Sequence, residues 1–242
     1  MGGERIATGV PGLDEMLYGG LLPDTAVLLR GAPGTGKTTV AFQFLQQGIT
    51  EGEVGLFITF EEFPVDLYRD AASLGFDLPA WERGGKLQII FTSPEVLLQS
   101  LQDPESTIYR RLQVANVQRA VLDSVSHFGR LTNDDLELRG IYTTLVNGLR
   151  RDRITTLLLS EERRTDYRQT DRGALSFLAD GIILMRYVEV ESSIQRAIVV
   201  LKLRGSGHDC KIRHYQIGEG GVIIGESFQG RQAILSGISH RV

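Results

Sequence analysis

Gly31-Ala32-Pro33-Gly34-Thr35-Gly36-Lys37-Thr38 fits the pattern G-x-x-x-x-G-K-[ST] of a phosphate-binding loop. The glycines let backbone N–H groups close around a polyphosphate with no Cβ in the way. Lys37 can reach the β- and γ-phosphates as a mobile point charge, and the Thr38 hydroxyl can ligate Mg²⁺. The setting matches the motif. Upstream, Thr25 to Arg30 is a short apolar run suited to a buried strand. Downstream, Val40, Ala41, Phe44, Leu45 and Gly48 recur at helical spacing, so a helix N-terminus would add its dipole to the anion site. A chance glycine turn with an incidental lysine would lack this frame.

Working outward, the strand-like runs are 53–60, 87–91, 119–124 and 154–159. Helical stretches fall between them: 64–74 opened by Pro64 and closed by Gly75, then 95–100, 104–114 and 134–150. A short helix over 13–17 stops at Gly19-Gly20. Strands alternating with helices predict an α/β fold, a mostly parallel sheet with helices on both faces. The runs 181–190, 194–203, 212–217 and 222–228 are joined by short polar turns and predict an antiparallel extension. With no linker or internal repeat, residues 1–242 are expected to form one domain, with 1–24 a lead-in and 229–242 a tail.

The chain of 242 residues has ample core for such a domain. Its 42% hydrophobic and 23% charged shares are those of an ordinary globule. A net charge of −4 argues against a general polyanion-binding surface and leaves room for a local basic patch. Cys210 is the single cysteine, so no internal disulfide is possible and a cytoplasmic setting is expected. No run approaches the roughly 20 apolar residues of a membrane-spanning helix. His127, His214 and His240 are scattered with no zinc-like spacing. Trp81 reads as local packing or an interface anchor.

Phosphoryl transfer needs a second Mg²⁺ anchor, a group to position the nucleophile, and positive charge for the γ-phosphate. Asp123 ends an apolar run, where a metal-side acid belongs, although it could instead cap the next helix. Glu61 and Glu62 end the strand after the phosphate-loop helix and suit a general base with an orienting partner, or else form a solvated pair. Thr38, Asp123 and Glu62 are thus the candidate metal set. Glu161-Glu162 is a weaker acidic pair, and Ser160 is either a γ-phosphate sensor or a plain strand-end serine.

With these parts in order, the chain resembles RecA-superfamily ATPases of the KaiC-like family, to which the circadian clock ATPase KaiC and archaeal RadA paralogues belong. The resemblance rests on Thr8-Gly-Val-Pro-Gly-Leu-Asp14 with Gly19-Gly20, on Gly31 to Thr39, and on Thr59-Phe-Glu-Glu62. It rests also on Val121-Leu-Asp-Ser124, Lys202-Leu-Arg-Gly-Ser-Gly-His208 and the tail from Phe228 to Gly237. It implies a RecA-like P-loop NTPase fold, ATP and Mg²⁺ as ligands, and a homohexameric ring with ATP between subunits. Gly31, Pro33, Gly34, Thr35, Gly36, Lys37, Thr38 and Thr39 would bind the nucleotide, and Glu61 and Glu62 would activate water. Lys202 and Arg204 would reach into the neighbour's nucleotide, with Arg196 and His208 near the neighbour's base and phosphates. Residues 202 and 204 alternate on a strand, so both charges should share one face.

Some positions depart from the family. Leu21 to Ala26 lacks the glycine usual before the first strand, and Cys210 stands where KaiC repeats carry lysine. KaiC carries two such domains in tandem and this sequence one. The serine and threonine that the second KaiC repeat phosphorylates align with Ser176 and Phe177, so a two-site cycle is excluded and only Ser176 could be modified. The leading expectation is an ATP-hydrolysing ring that signals by conformational change. Competing readings are an autophosphorylating kinase, a non-catalytic nucleotide sensor, and a recombinase-like single-strand binder. The last would use Arg163, Arg164, Tyr167, Arg168 and Arg172, and the acidic net charge disfavours it.

Overall fold

The computed structural model describes residues 4–162, 174–229, 231–232 and 240–241. Helices α1 (Leu13–Met16), α2 (Lys37–Thr50), α3 (Pro64–Ser73) and α4 (Leu78–Arg83) alternate with strands β1 (Ala26–Gly31), β2 (Val54–Thr59) and β3 (Leu87–Phe91). Helices α5 (Pro94–Gln102) and α6 (Thr107–Ala115) lead to β4 (Val117–Asp123), then a 3₁₀ helix over Val125–Arg130, α7 (Asp135–Arg151) and β5 (Thr155–Glu161). After α8 (Ala174–Leu178) come β6 (Gly181–Val190), β7 (Ser193–Leu203), β8 (Arg213–Gly218) and β9 (Gly221–Ser227). Two short strands, β10 (Arg231–Gln232) and β11 (His240–Arg241), pair with each other. The arginine-rich loop at 163–172, the basis of the disfavoured single-strand-binding reading, and most of the tail lie outside the described residues.

The described strands β1 to β9 form one sheet in the order β3-β2-β4-β5-β1-β6-β7-β8-β9. Period-2 alternation sends neighbours to opposite faces. Val27, Leu29, Phe57, Val121, Leu157 and Leu159 enter the core under α2 and α3. Ala26, Leu28, Leu56, Ile58, Leu122 and Leu158 enter the core under α5 and α7. Both faces are covered, which is why these strands read as continuous apolar runs. Trp81 packs edge-on to Phe76 at 6.2 Å, consistent with the first of its two readings, local packing.

Sequence and structure differ in several places, among them helix α8 and the short strands β10 and β11, which the sequence patterning does not signal. Strand β6 is parallel to β1 (Val27↔Gly181 to Gly31↔Met185), so the antiparallel extension begins only at β7. Strand direction follows from where α8 delivers the chain, which apolar patterning does not encode. Helix α4 is six residues long, too short for its apolar spacing to signal it; Asp77 caps it by accepting from the Ala80 N–H at 2.9 Å. The 3₁₀ helix was not anticipated because six residues carry too little periodicity. Among the described residues no helix is long and apolar enough to cross a membrane.

Candidate functional site

The phosphate loop leaves the C-terminal end of β1, where the strand order places β5 on one side and β6 on the other. Register brings four strand ends together: Thr59 pairs with Asp123, Asp123 with Leu159, and Gly31 with Glu161. Gly34 and Gly36 hold positive φ angles of 77° and 93°. A Cβ at Gly34 would meet the Tyr187 hydroxyl at 2.8 Å, and one at Gly36 would meet Ile217 Cδ1 at 2.6 Å. The loop is braced from inside. Thr35, fully buried, donates through Oγ1 to the Ala32 carbonyl (2.7 Å), and the Tyr215 hydroxyl donates to the Thr35 carbonyl (2.5 Å).

The loop opens on a cavity of about 200 Å³. Pro33, Gly34, Lys37 and Thr38 line it from the loop and α2, and Thr59, Glu61 and Glu62 from the end of β2. Asp123, Ser124 and His127 line it from the end of β4, and Glu161 from β5. Lys37 Nζ donates to the Gly31 and Ala32 carbonyls at 2.9 and 3.2 Å. Burial lowers its pKa, and the nearby Asp123 and Glu161 carboxylates counter that. Thr38 Oγ1 donates to Asp123 Oδ2 at 2.9 Å. Burial holds the Asp123 carboxyl above its ordinary range despite the Thr38 hydrogen bond and the Lys37 charge.

The adjacent glutamates are not equivalent. Much of Glu62 meets solvent, yet packing around its carboxyl, and then Asp123, Asp70, Asp66 and Glu61, raise its pKa. The Thr59 hydroxyl fixes the turn, accepting from the Glu62 N–H (3.1 Å) and donating to the Glu62 carbonyl (3.0 Å). The Glu61 side chain is 71% exposed, with Oε2 3.2 Å from His127 Nε2. Glu161 and Glu162 split: Glu161 lines the cavity, whereas Glu162 forms a bidentate ion pair with Arg186. Ser160 is buried behind the cavity, its Oγ 3.4 Å from Ser126 Oγ, and Thr39 is buried in α2.

The remaining site candidates lie elsewhere. Lys202 pairs in register with Ile182, which pairs with Leu28, roughly 10 Å along the strand before Gly31 and towards the opposite sheet edge. Lys202 Nζ donates to the carbonyls of Ser176 (2.9 Å) and Ala179 (2.7 Å), and Arg204 Nη2 donates to that of Phe177 (2.6 Å). The two charges do share a face, and there they cap the C-terminus of α8. Burial, then the Arg204 charge, lowers the Lys202 pKa. The Arg196 guanidinium lies 5.6 Å over the Tyr187 ring, beside its own chain's phosphate loop, and its buried Nε has no hydrogen-bond partner among the described residues. His208 follows β7 where the Asp209 N–H donates to the Met16 carbonyl at 2.8 Å, with Nδ1 buried and unpartnered among the described residues. Ser176 Oγ accepts from Arg30 at 3.1 Å.

Sequence reasoning passed over His127 and ranked Glu161 low. His127 stands four residues after Asp123, and only the tight 3₁₀ turn folds it back over the cavity. No spacing rule signals that return.

This geometry fits what comparison with known proteins finds. The family model described as "ATPase: KaiC" matches residues 6–229. The circadian clock oscillator protein KaiC of Parathermosynechococcus lividus is 34% identical over 240 residues, covering 98% of this chain and 44% of that protein. KaiC 1 of Synechocystis sp. is 32% identical, covering 98% and 46%. The chain thus spans about half the length of these curated relatives. The crystal structure of the KaiC-like protein PH0186 from Pyrococcus horikoshii OT3 superposes with a TM-score of 0.81 at 32% identity, covering 92% of this chain and 99% of that one. Fold, phosphate loop and likeness over nearly the whole chain agree: this chain belongs to the KaiC family of RecA-superfamily ATPases.

Proposed function

We propose that residues 1–242 act as one domain that binds ATP with Mg²⁺ and hydrolyses it in a cytoplasmic homohexameric ring, each site completed by the neighbouring subunit. One observation carries this reading. Among the described residues, the cavity presents four carboxylates, Glu61, Glu62, Asp123 and Glu161, against the single ammonium of Lys37. A triphosphate entering it brings further negative charge, and phosphoryl transfer calls for more positive charge than this described lining holds.

The donor chemistry suits a hard divalent cation: the Thr38 hydroxyl and Asp123 carboxylate are already 2.9 Å apart, with Glu62 on the same cavity. When bound, Mg²⁺ would neutralise charge on the β- and γ-phosphates. Lys37 would exchange its carbonyl contacts for phosphate oxygens, and the backbone N–H groups of the glycine loop would cradle the chain of phosphates. Glu61 would orient a water and take its proton as the water oxygen bonds to the γ-phosphorus, while ADP leaves with the electron pair of the broken bond. Glu62 would hold the metal side.

The missing positive charge would come from Lys202 and Arg204 of the next subunit. Releasing the end of α8 would accompany their engagement, giving hydrolysis a mechanical output suited to a regulatory role. The test is ATP turnover of the wild type, Lys37→Ala, Arg204→Ala and a mixture of the two variants, with light scattering in ATP·Mg²⁺. Each variant alone should lose roughly 10³-fold in rate while assembling, and the mixture should regain activity at sites pairing an intact loop with an intact Arg204. A monomer that hydrolyses ATP indifferently to Arg204 would refute the shared site.

A further inference from the structure

We infer that His127 is a positioning residue for ATP hydrolysis, aiming the Glu61 carboxylate at the attacking water. This rests on the hydrolytic reading above and adds a residue to it. Glu61 lies just beyond β2, in a turn whose backbone is fixed by Thr59, but its side chain is largely free in solvent. An exposed glutamate samples several rotamers, and a general base must hold one. The described contact restraining it is the approach of His127 Nε2 to Oε2, 3.2 Å apart. That contact leaves Oε1 to accept from water.

His127 is itself held rigidly. Its side chain is only 13% exposed. Its ring packs at 6.2 Å against Phe60, which stands edge-on to Phe128 at 5.4 Å. Phe128, fully buried, anchors the 3₁₀ helix. Ser124 starts that helix, accepting from the Ser126 N–H, and Ser126 Oγ accepts from the Glu161 N–H at 2.9 Å. A fixed imidazole nitrogen facing a loose carboxylate, both on the cavity with Asp123, is the arrangement a positioning pair requires.

The test uses the full chain with steady-state ATP turnover and titration of a fluorescent ATP analogue. His127→Phe keeps a ring but removes the donor, whereas His127→Gln keeps an N–H at about the place of Nε2. His127→Phe should lower kcat roughly 10- to 100-fold with KM and analogue affinity changed less than about threefold. His127→Gln should retain most of the turnover. In a Glu61→Gln background, His127→Phe should cost less than about twofold more, because the two act as a unit. Wild-type turnover by His127→Phe, or a defect in KM alone, overturns the inference. So does His127→Gln failing as badly as His127→Phe. A wild type that binds ATP without hydrolysing it overturns the functional reading and this one with it. An active wild type matched by His127→Phe overturns this inference alone.

Discussion

Replacing Arg119 by methionine should loosen the frame that holds the phosphate loop. Arg119 lies on β4 with 1% of its side chain exposed, four residues before Asp123 and on the same face. Its guanidinium pairs with Glu51 and Glu53, donates to the Ala7 (2.6 Å) and Phe44 (3.2 Å) carbonyls, and stacks 4.9 Å over the Phe44 ring. Asp123 pins the N-terminal end of α2 through Thr38, and Arg119 pins its C-terminal end, roughly 20 Å away along the helix. Methionine would fill much of the volume and strand the acceptors. Breaking a buried charge pair costs about 3 to 5 kcal/mol. Glu53 is 23% exposed and Glu51 40%, so water rehydrates both in part and the lower end, about 3 kcal/mol, applies. For a chain of this size that is a fall in Tm of roughly 6 to 12 °C. Differential scanning calorimetry of the nucleotide-free chain reads it directly. Pairing the change with Glu53→Leu should recover part of the loss, since a wholly apolar replacement leaves fewer stranded charges. An Arg119→Met variant melting within about 2 °C of wild type would refute the knot as a structural tie.

Gly48→Ala in α2 would normally stabilise a helix by up to about 1 kcal/mol. Here the new Cβ would come within 2.5 Å of Arg119 Nε and 2.6 Å of Cδ, so a loss of roughly 1 to 3 kcal/mol is expected, and a raised Tm would contradict that packing. Asp123→Asn should raise the Tm of the nucleotide-free chain near neutral pH, because the folded-state pKa of Asp123 is raised and its ionised form costs stability there. That cost is absent below the unfolded value of about 3.9 and full above the folded one, so the gain should shrink as the pH falls. The same variant should lose the ATP·Mg²⁺ stabilisation of about 2.7 kcal/mol that a hundredfold excess over Kd would give, and retention of that shift would remove Asp123 from the metal side.

The family, the α/β class and the centre of the candidate site follow from residues that act locally. A glycine loop between an apolar run and an amphipathic helix needs only its own backbone freedom to be recognised, and Asp123 and Glu61-Glu62 declare themselves by standing at strand ends. Period-2 and period-3.6 patterning placed β1 to β9 and the long helices because burial against the two cores is what those patterns record. What depends on contacts between distant segments was not legible. The direction of β6 is fixed by α8 and its pairing with β1. The separation of Glu161 from Glu162 depends on Arg186, 24 residues further on. The placement of Lys202 and Arg204 on the end of α8, far from their own chain's cavity, is a matter of sheet register. His127 reaches Glu61 across 66 residues of chain only because a 3₁₀ turn and a parallel β2–β4 pair bring both to one edge. Local chemistry is written in the sequence one residue at a time; which charges face each other is decided by register and packing.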